Sequence, residues 1–222
     1  MNIDYHILRH MWPHAPQAKV SAIAEISESV FAEYDIDDWQ VVVQLMANIS
    51  AENGDGTIVR ENGNYRAERI TEIFGPGKSS ANVSPEEAEQ LAHNAEALFN
   101  RVYGPHPKSP KLTRELGNIE PGDGYKYRGG GDLQLTGRAS YEHIGSLTGH
   151  AEIIDDPDAM ADPRISFRVA CAEFDALGCI PLAKKGLTVA VRRKVNGGTN
   201  GLAAVEANVR KWSDALPHVD SP

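Results

Sequence analysis

Glu52 and Glu61 stand nine residues apart, too far to share one helical face. A helix ending near Glu52, followed by a turn, would set the two carboxyls across a gap from each other. That is the equipment for acid/base cleavage of a glycosidic bond. One carboxyl, protonated, donates to the leaving oxygen; the other, ionised, activates water or forms an intermediate. The neighbours divide the roles. Glu52 follows an apolar run and Ala51, a setting that raises a carboxyl pKa by desolvation, whereas Glu61 follows Arg60 and lies near Arg69, which favour its ionised form. The expectation is Glu52 as acid and Glu61 as base. Taken alone, two glutamates among 31 acidic residues are ordinary surface side chains, so the reading needs support from elsewhere in the chain.

The stretch Gly122 to Arg138, GDGYKYRGGGDLQLTGR, supplies a second set of groups. Gly129, Gly130 and Gly131 carry no Cβ, so a bulky ligand could approach the main chain there. Tyr125 and Tyr127 offer flat faces with hydroxyl edges. Arg128, Gln134 and Thr136 add the donors and acceptors that fix a neutral, hydroxyl-rich ligand such as a sugar. A phosphate-cradling loop is disfavoured, because no Gly-Lys-Ser/Thr follows the glycines and no βαβ pattern surrounds them.

The elements that must position these groups are mostly helical. Residues 18 to 34 place Val20, Ile23, Val30 and Tyr34 on one face, and Asp38 offers an N-cap before Trp39. In WQVVVQLMANISAEN, the residues Val42, Leu45, Met46 and Ile49 keep the helical period and put Glu52 on the margin of the apolar face, in the last turn. Residues 53 to 65 lose that period and carry two turn signals around a β-prone run, which reads as a small hairpin. Ser84-Pro85-Glu86-Glu87 starts a helix that Ala88, Leu91, Ala95, Leu98 and Val102 carry to Gly104-Pro105. A long loop covers 106 to 124. Later helices are expected over 138 to 147, 163 to 177, 187 to 195 and 202 to 213, with little strand.

At 222 residues, 24.1 kDa and 41% hydrophobic, the chain suffices for one core, and the expectation is a single domain over 1–222 with no separate binding module. A net charge of -9 and a pI near 5.4 argue against nucleic acid as a partner. The start MNIDYHILRH lacks a basic segment followed by an apolar run, and no stretch approaches 18 consecutive apolar residues. The reading is no signal peptide, no membrane insertion and synthesis into the cytoplasm. Cys171 and Cys179 read as buried free thiols rather than a disulfide framework. His6, His10 and His14 recur every four residues, but Pro13 disrupts that face and no acidic or cysteine ligand accompanies it. No metal and no cofactor are expected.

Three segments together, residues 47 to 69, 122 to 141 and 195 to 202 (VNGGTNGL), resemble in order and spacing the glycoside hydrolase family 19 enzymes, which are chitinases and single-domain phage endolysins. The resemblance runs over roughly residues 1 to 213. It implies a mainly α, lysozyme-like, two-lobed domain with the small β-hairpin beside an active-site cleft. It also implies inverting cleavage of a β-1,4 bond next to an N-acetylated sugar, by carboxyl groups about 6.5 to 9.5 Å apart. The acid carries over to Glu52 and the second carboxylate to Glu61. Gln134 and Thr136 match positions that hold water and sugar, and Tyr65, Tyr127 and Asn196 match groove-lining positions. The chain departs from the pattern at Ala51, where His is usual, at Gly130 and Val205, where Arg is common, and at Ser140, where Asn is frequent. The reading that follows is a monomeric endolysin that cuts the glycan strand of bacterial peptidoglycan. It waits in the host cytoplasm until release and acts on the wall in the periplasm. The alternatives are a chitinase acting on poly-N-acetylglucosamine, a wall hydrolase delivered as a toxin, and a non-catalytic protein that kept the glycan-binding groove.

Overall fold

A computed structural model describes residues 1–105 and 114–217, so part of the loop expected over 106 to 124 lies outside the described residues. Contacts divide the chain into two compact units. Unit 1 comprises Met1–Val59, Gly131–Gln134 and Ala159–Pro222; unit 2 comprises Arg60–Gly130 and Leu135–Asp158. Among the described residues the regular structure is helical, and β pairing is confined to two isolated antiparallel bridges, Arg60 with Gly130 and Gly130 with Leu135. No helix among them is long and apolar enough to cross a membrane.

Unit 1 is built on α3 (Trp39–Asn53). Asp38 caps its start by accepting from the Gln40 amide, and Gly54 ends it in the left-handed conformation, with its amide donating to Ser50 O. Eleven of its fifteen residues are buried, so the helix is covered on nearly every side rather than along one stripe. The cover comes from α10 (Pro163–Ala176), α11 (Ile180–Ala183), α12 (Thr188–Asn196) and α13 (Leu202–Ala215), with α2 (Gln17–Glu33) packed on α10 and α1 (Tyr5–Met11) packed on α2 and α13. Trp12 and Trp212 meet edge to face, their centroids 6.1 Å apart, and both indole N–H groups donate to Ser50 Oγ, at 2.8 and 3.0 Å. Cys171 and Cys179 are buried and free.

Unit 2 has its own core, formed by Ile70 and Phe74 of α4 (Ala67–Phe74), Ala88 of α5 (Pro85–Leu91), and Leu98, Phe99 and Val102 of α6 (Ala95–Val102). Further helices of this unit include α7 (Asp123–Lys126), α8 (Arg138–Thr148) and α9 (Glu152–Asp155). Two sequence expectations change here. The helix anticipated from Pro85 to Val102 is two, because His93 takes a positive φ of 58° and Asn94 starts α6 by accepting from the Ala97 amide. The apolar period continues across the break, which is why periodicity alone joins the two. The segment 53 to 65 leaves α3 through turns over 54–57 and then runs without regular structure, with no hairpin of its own. Its one bridged residue, Arg60, pairs with Gly130 instead, so the extended strip beside Glu61 is completed from a distant part of the chain.

Candidate active site

Glu52 is the penultimate residue of α3, and its side chain is 17% exposed. It is ion-paired with Nη1 of Arg192 on α12, whose side chain is 5% exposed and whose Nε donates to Asn200 O at 2.7 Å. Beside the apolar neighbours expected around Glu52, a buried guanidinium therefore holds its side chain. Glu173 on α10 completes the arrangement. Burial, and after it the charge of Glu52, push its pKa up to about 8, and its Oε2 has no partner among the described residues. It accordingly holds a proton at neutral pH and adds no second negative charge beside the pair.

The end of α3 is fixed by further buried polar contacts. Asn53 Nδ2 donates to Asp132 Oδ1 at 2.8 Å, Asn53 Oδ1 accepts from the Gly56 amide at 2.8 Å, and Asp132 is paired with Lys19 at 2.6 Å, both side chains at most 5% exposed. Gly56 has φ of 84°, and a Cβ there would lie 2.9 Å from both Trp12 and Ala15, so only glycine fits the turn. Buried pairs of this kind contribute little net stability, but breaking one is expensive because a charge is stranded. Their use here is to hold one backbone geometry immediately beside Glu52.

In unit 2, Glu61 is surrounded by aromatic rings and guanidinium groups. The Tyr103 hydroxyl donates to its Oε1 at 3.3 Å, its amide donates to Gly129 O at 2.9 Å, and Arg128 Nε donates to its carbonyl at 3.2 Å. Tyr103 itself stacks on Phe99 with 4° between the planes and meets Phe74 edge to face, so the unit 2 core aims the hydroxyl. Burial raises the pKa of Glu61, outweighing the opposing pull of the Gly129 backbone, Tyr103, Arg128 and Arg60. The sequence expectation had the arginines keeping it low. The correction is physical: desolvation by the aromatic wall is the largest influence, and Arg69 instead pairs with Glu72 at 3.0 Å.

The other expected site residues fall as follows. In unit 2, Tyr65 is half-buried, and its hydroxyl pKa is raised by burial and then by Glu61. Arg128 packs over the Tyr125 ring at 4.0 Å and donates to Tyr125 O, so its guanidinium organises the strip that carries Glu61. Thr136 is half-buried just ahead of α8. Tyr127 cannot line a groove: it is fully buried, donates to Ile154 O at 3.0 Å and lies beneath the Arg138 guanidinium at 5.0 Å. In unit 1, Gln134 takes a positive φ of 57° and donates to Gly131 O at 2.8 Å, while Asn196 is exposed at the end of α12, one turn beyond Arg192.

The glycine run also differs from expectation. Gly129, Gly130 and Gly131 are all buried, and what approaches Gly130 is protein. A Cβ there would lie 2.5 Å from Tyr141 Oη and 2.6 Å from Arg60 Nη1. Arg60 donates to Arg128 O, Lys126 O and the Tyr141 hydroxyl, so a guanidinium stands beside residue 130 although that residue is not arginine. Similarly, position 205 is a fully buried valine, and the guanidinium near the start of its helix comes from Arg192, bonded to Asn200 O. Sequence reasoning missed Arg192 and Glu173. The available signal was a charged residue inside an otherwise apolar helical pattern, as in VACAEF around Glu173.

No family model matches the chain. A curated protein of Haemophilus influenzae, named glycosyl hydrolase family 19 domain-containing protein, is 26% identical over 204 residues, covering 91% of each chain. Among solved structures, a chitinase C variant matches with a TM-score of 0.62 at 12% identity, over 99% of this chain and 78% of that one. The second likeness bears out the mainly helical, lysozyme-like fold. The relative's family is the one the three motifs imply, and with it glycoside hydrolysis as the class of reaction. In sequence over nine-tenths of its length, and in fold over nearly all of it, the chain is similar to the family 19 glycoside hydrolases.

Proposed function

We propose that the chain hydrolyses β-1,4 glycosidic bonds of bacterial peptidoglycan by an inverting acid/base mechanism, as an endolysin held in the host cytoplasm until release. The observation that carries the reading is the setting of the two carboxyls that the motifs single out, Glu52 held by Arg192 at the end of α3 and Glu61 accepting from the buried Tyr103 hydroxyl. Glu52 is assigned as the proton donor by the three motifs, a role that requires it to take up a proton and give up its ion pair with Arg192 before it acts. Arg192 fixes its position. Glu61 is assigned as the base that activates water. General base catalysis is most effective when the base pKa approaches the working pH, and burial moves Glu61 in that direction. Each such assistance is worth about 10²- to 10⁴-fold in rate.

A chitinase reading is favoured by one observation, the chitinase C among the structural neighbours. Digestion of purified peptidoglycan and of chitin oligomers, followed by reduction and mass spectrometry of the new ends, separates the possibilities. Muramic acid at the new reducing end means a muramidase, and glucosamine from peptidoglycan means a glucosaminidase. Cleavage of chitin alone means a chitinase. Binding without any new reducing ends contradicts hydrolysis altogether.

A further inference from the structure

Arg60 immediately precedes Glu61, yet its side chain reaches a turn 66 residues further along the chain. Nη2 donates to Lys126 O at 2.8 Å, and Nη1 donates to Arg128 O at 3.1 Å and to the Tyr141 hydroxyl at 2.6 Å. On the solvent side, Nε lies 3.1 Å from Oδ1 of the exposed Asp158. Helix α7 is a single turn, so the carbonyls at its end lack partners within the helix. The planar fork of Arg60 meets that need by holding the carbonyls on either side of Tyr127, which a point charge could not do at once.

Glu61 is tied to the same turn by both of its main-chain groups. Its amide donates to Gly129 O at 2.9 Å, and its carbonyl accepts from Arg128 Nε at 3.2 Å. The contacts therefore close a circuit: the Arg60 side chain fixes residues 126–128, and residues 128–129 fix the backbone of the next residue, Glu61. The Tyr103 hydroxyl, bonded to Oε1, restrains only the far end of the glutamate. Without Arg60 the carboxyl would keep its aromatic surroundings and lose its anchor.

Gly130 fits this arrangement. Its φ is not positive, so backbone conformation does not call for glycine there. Space does: a Cβ would lie 2.6 Å from Arg60 Nη1 and 2.5 Å from Tyr141 Oη. The missing side chain is what leaves the guanidinium its seat.

We propose that Arg60 is a positioning residue for Glu61: its guanidinium, seated over Gly130, fixes the turn to which the Glu61 backbone is bonded. The catalytic meaning of that role rests on Glu61 being the base, as read above. A base must hold its water at one distance and angle, so a small displacement of Glu61 costs rate rather than binding.

The test compares Arg60→Met, Arg60→Lys and Gly130→Ala with the wild-type chain, on soluble glycan strands from peptidoglycan and on the hexamer of N-acetylglucosamine. Met keeps the stem and removes every donor, and Lys keeps the charge but loses the fork. Ala at 130 displaces the guanidinium, the free end of a flexible side chain, and leaves Arg60 itself in place. The rate constant kcat is read on the plateau of the pH–rate profile, so that altered ionisation of Glu61 is not counted. It falls about 10²-fold in each variant, with KM unchanged. The double variant Arg60→Met/Gly130→Ala loses no more than Arg60→Met alone, because both changes empty one seat. Independently of activity, hydrogen exchange of the Glu61 amide speeds up in all the variants. Exchange of the Tyr103 amide, bonded to Phe99 O at 2.8 Å in the unit 2 core, stays as in the wild type. A variant in which the Tyr103 amide also speeds up has lost that core, and the milder Gly130→Ala then decides. Wild-type kcat in Arg60→Lys, additive losses in the double variant, or an unchanged Glu61 amide overturns the proposal. If the wild-type chain hydrolyses neither substrate, the functional reading falls, and the Glu61 amide alone decides whether Arg60 is the fastening.

Discussion

The two carboxyls are held by opposite physical means. In unit 1, Glu52 belongs to a buried polar frame: a guanidinium pairs with it, a protonated glutamate stands nearby, and two indoles share the hydroxyl of Ser50 two residues before it. In unit 2, Glu61 belongs to an aromatic wall, with a phenol donating to it and burial raising its pKa. A carboxyl fixed by a charge is defined in position, whereas one fixed by desolvation is tuned in proton affinity. The first suits a group that must meet one oxygen atom, and the second suits a base that must be strong enough to activate water.

The sharpest break in that comparison is Glu61→Gln. It removes the proposed base without changing side-chain volume, so the rate on glycan falls about 10²- to 10⁴-fold while the melting temperature moves little. A large loss of stability instead would make Glu61 a structural residue. Next comes Arg192→Ala, which strands Glu52 and removes the Asn200 contact. Loss of one partner of such a pair costs about 3–5 kcal/mol when both are fully buried; here the expected loss lies toward the lower figure, because Glu52 is 17% exposed. Chemical denaturation measures it, and activity should fall with it.

Glu173→Gln gives a smaller effect with a definite pH signature. In the folded chain the Glu173 proton is retained up to about 8, against an ordinary value of 4.5 in the unfolded chain. Between those values the unfolded state binds fewer protons, so this group makes stability fall as pH rises. The variant flattens that slope, and thermal melts from pH 4.5 to 8 detect the change. Smallest is Tyr103→Phe. It deletes the donor to Glu61 and leaves burial in place, which pushes the Glu61 pKa further up. A base works only when ionised, so the acid limb of the pH–rate profile moves to higher pH. No movement, or movement to lower pH, would mean that Tyr103 does not bear on the base.

How far these settings are legible in the sequence depends on the range of the interactions. Helix α3 is readable because its period, its Asp38 cap and its Gly54 stop are all local, and they put Glu52 in the last turn. The break at His93 and Asn94 is hidden because the apolar period runs through it, although Asn94 is a residue that favours caps. The roles of Arg192 and Glu173 depend on contacts more than a hundred residues away in sequence, and no spacing rule reaches that far. Tyr127 shows the converse limit. Its place beside a glycine run suggests a ligand-facing ring, yet the packing of Arg138 and Tyr141 encloses it. The settings of the two carboxyls came from tertiary packing, and for Glu61 the neighbouring arginines in sequence pointed the wrong way.

The most direct test of the proton-donor role compares two leaving groups. A dinitrophenyl glycoside of an N-acetylated disaccharide departs as a stable anion and needs no proton, whereas a sugar alkoxide does. With Glu52→Gln, the rate on the natural glycan should fall about 10²- to 10⁴-fold while the rate on the activated glycoside stays close to wild type. Equal losses on both substrates, or no loss on either, would contradict Glu52 as the acid.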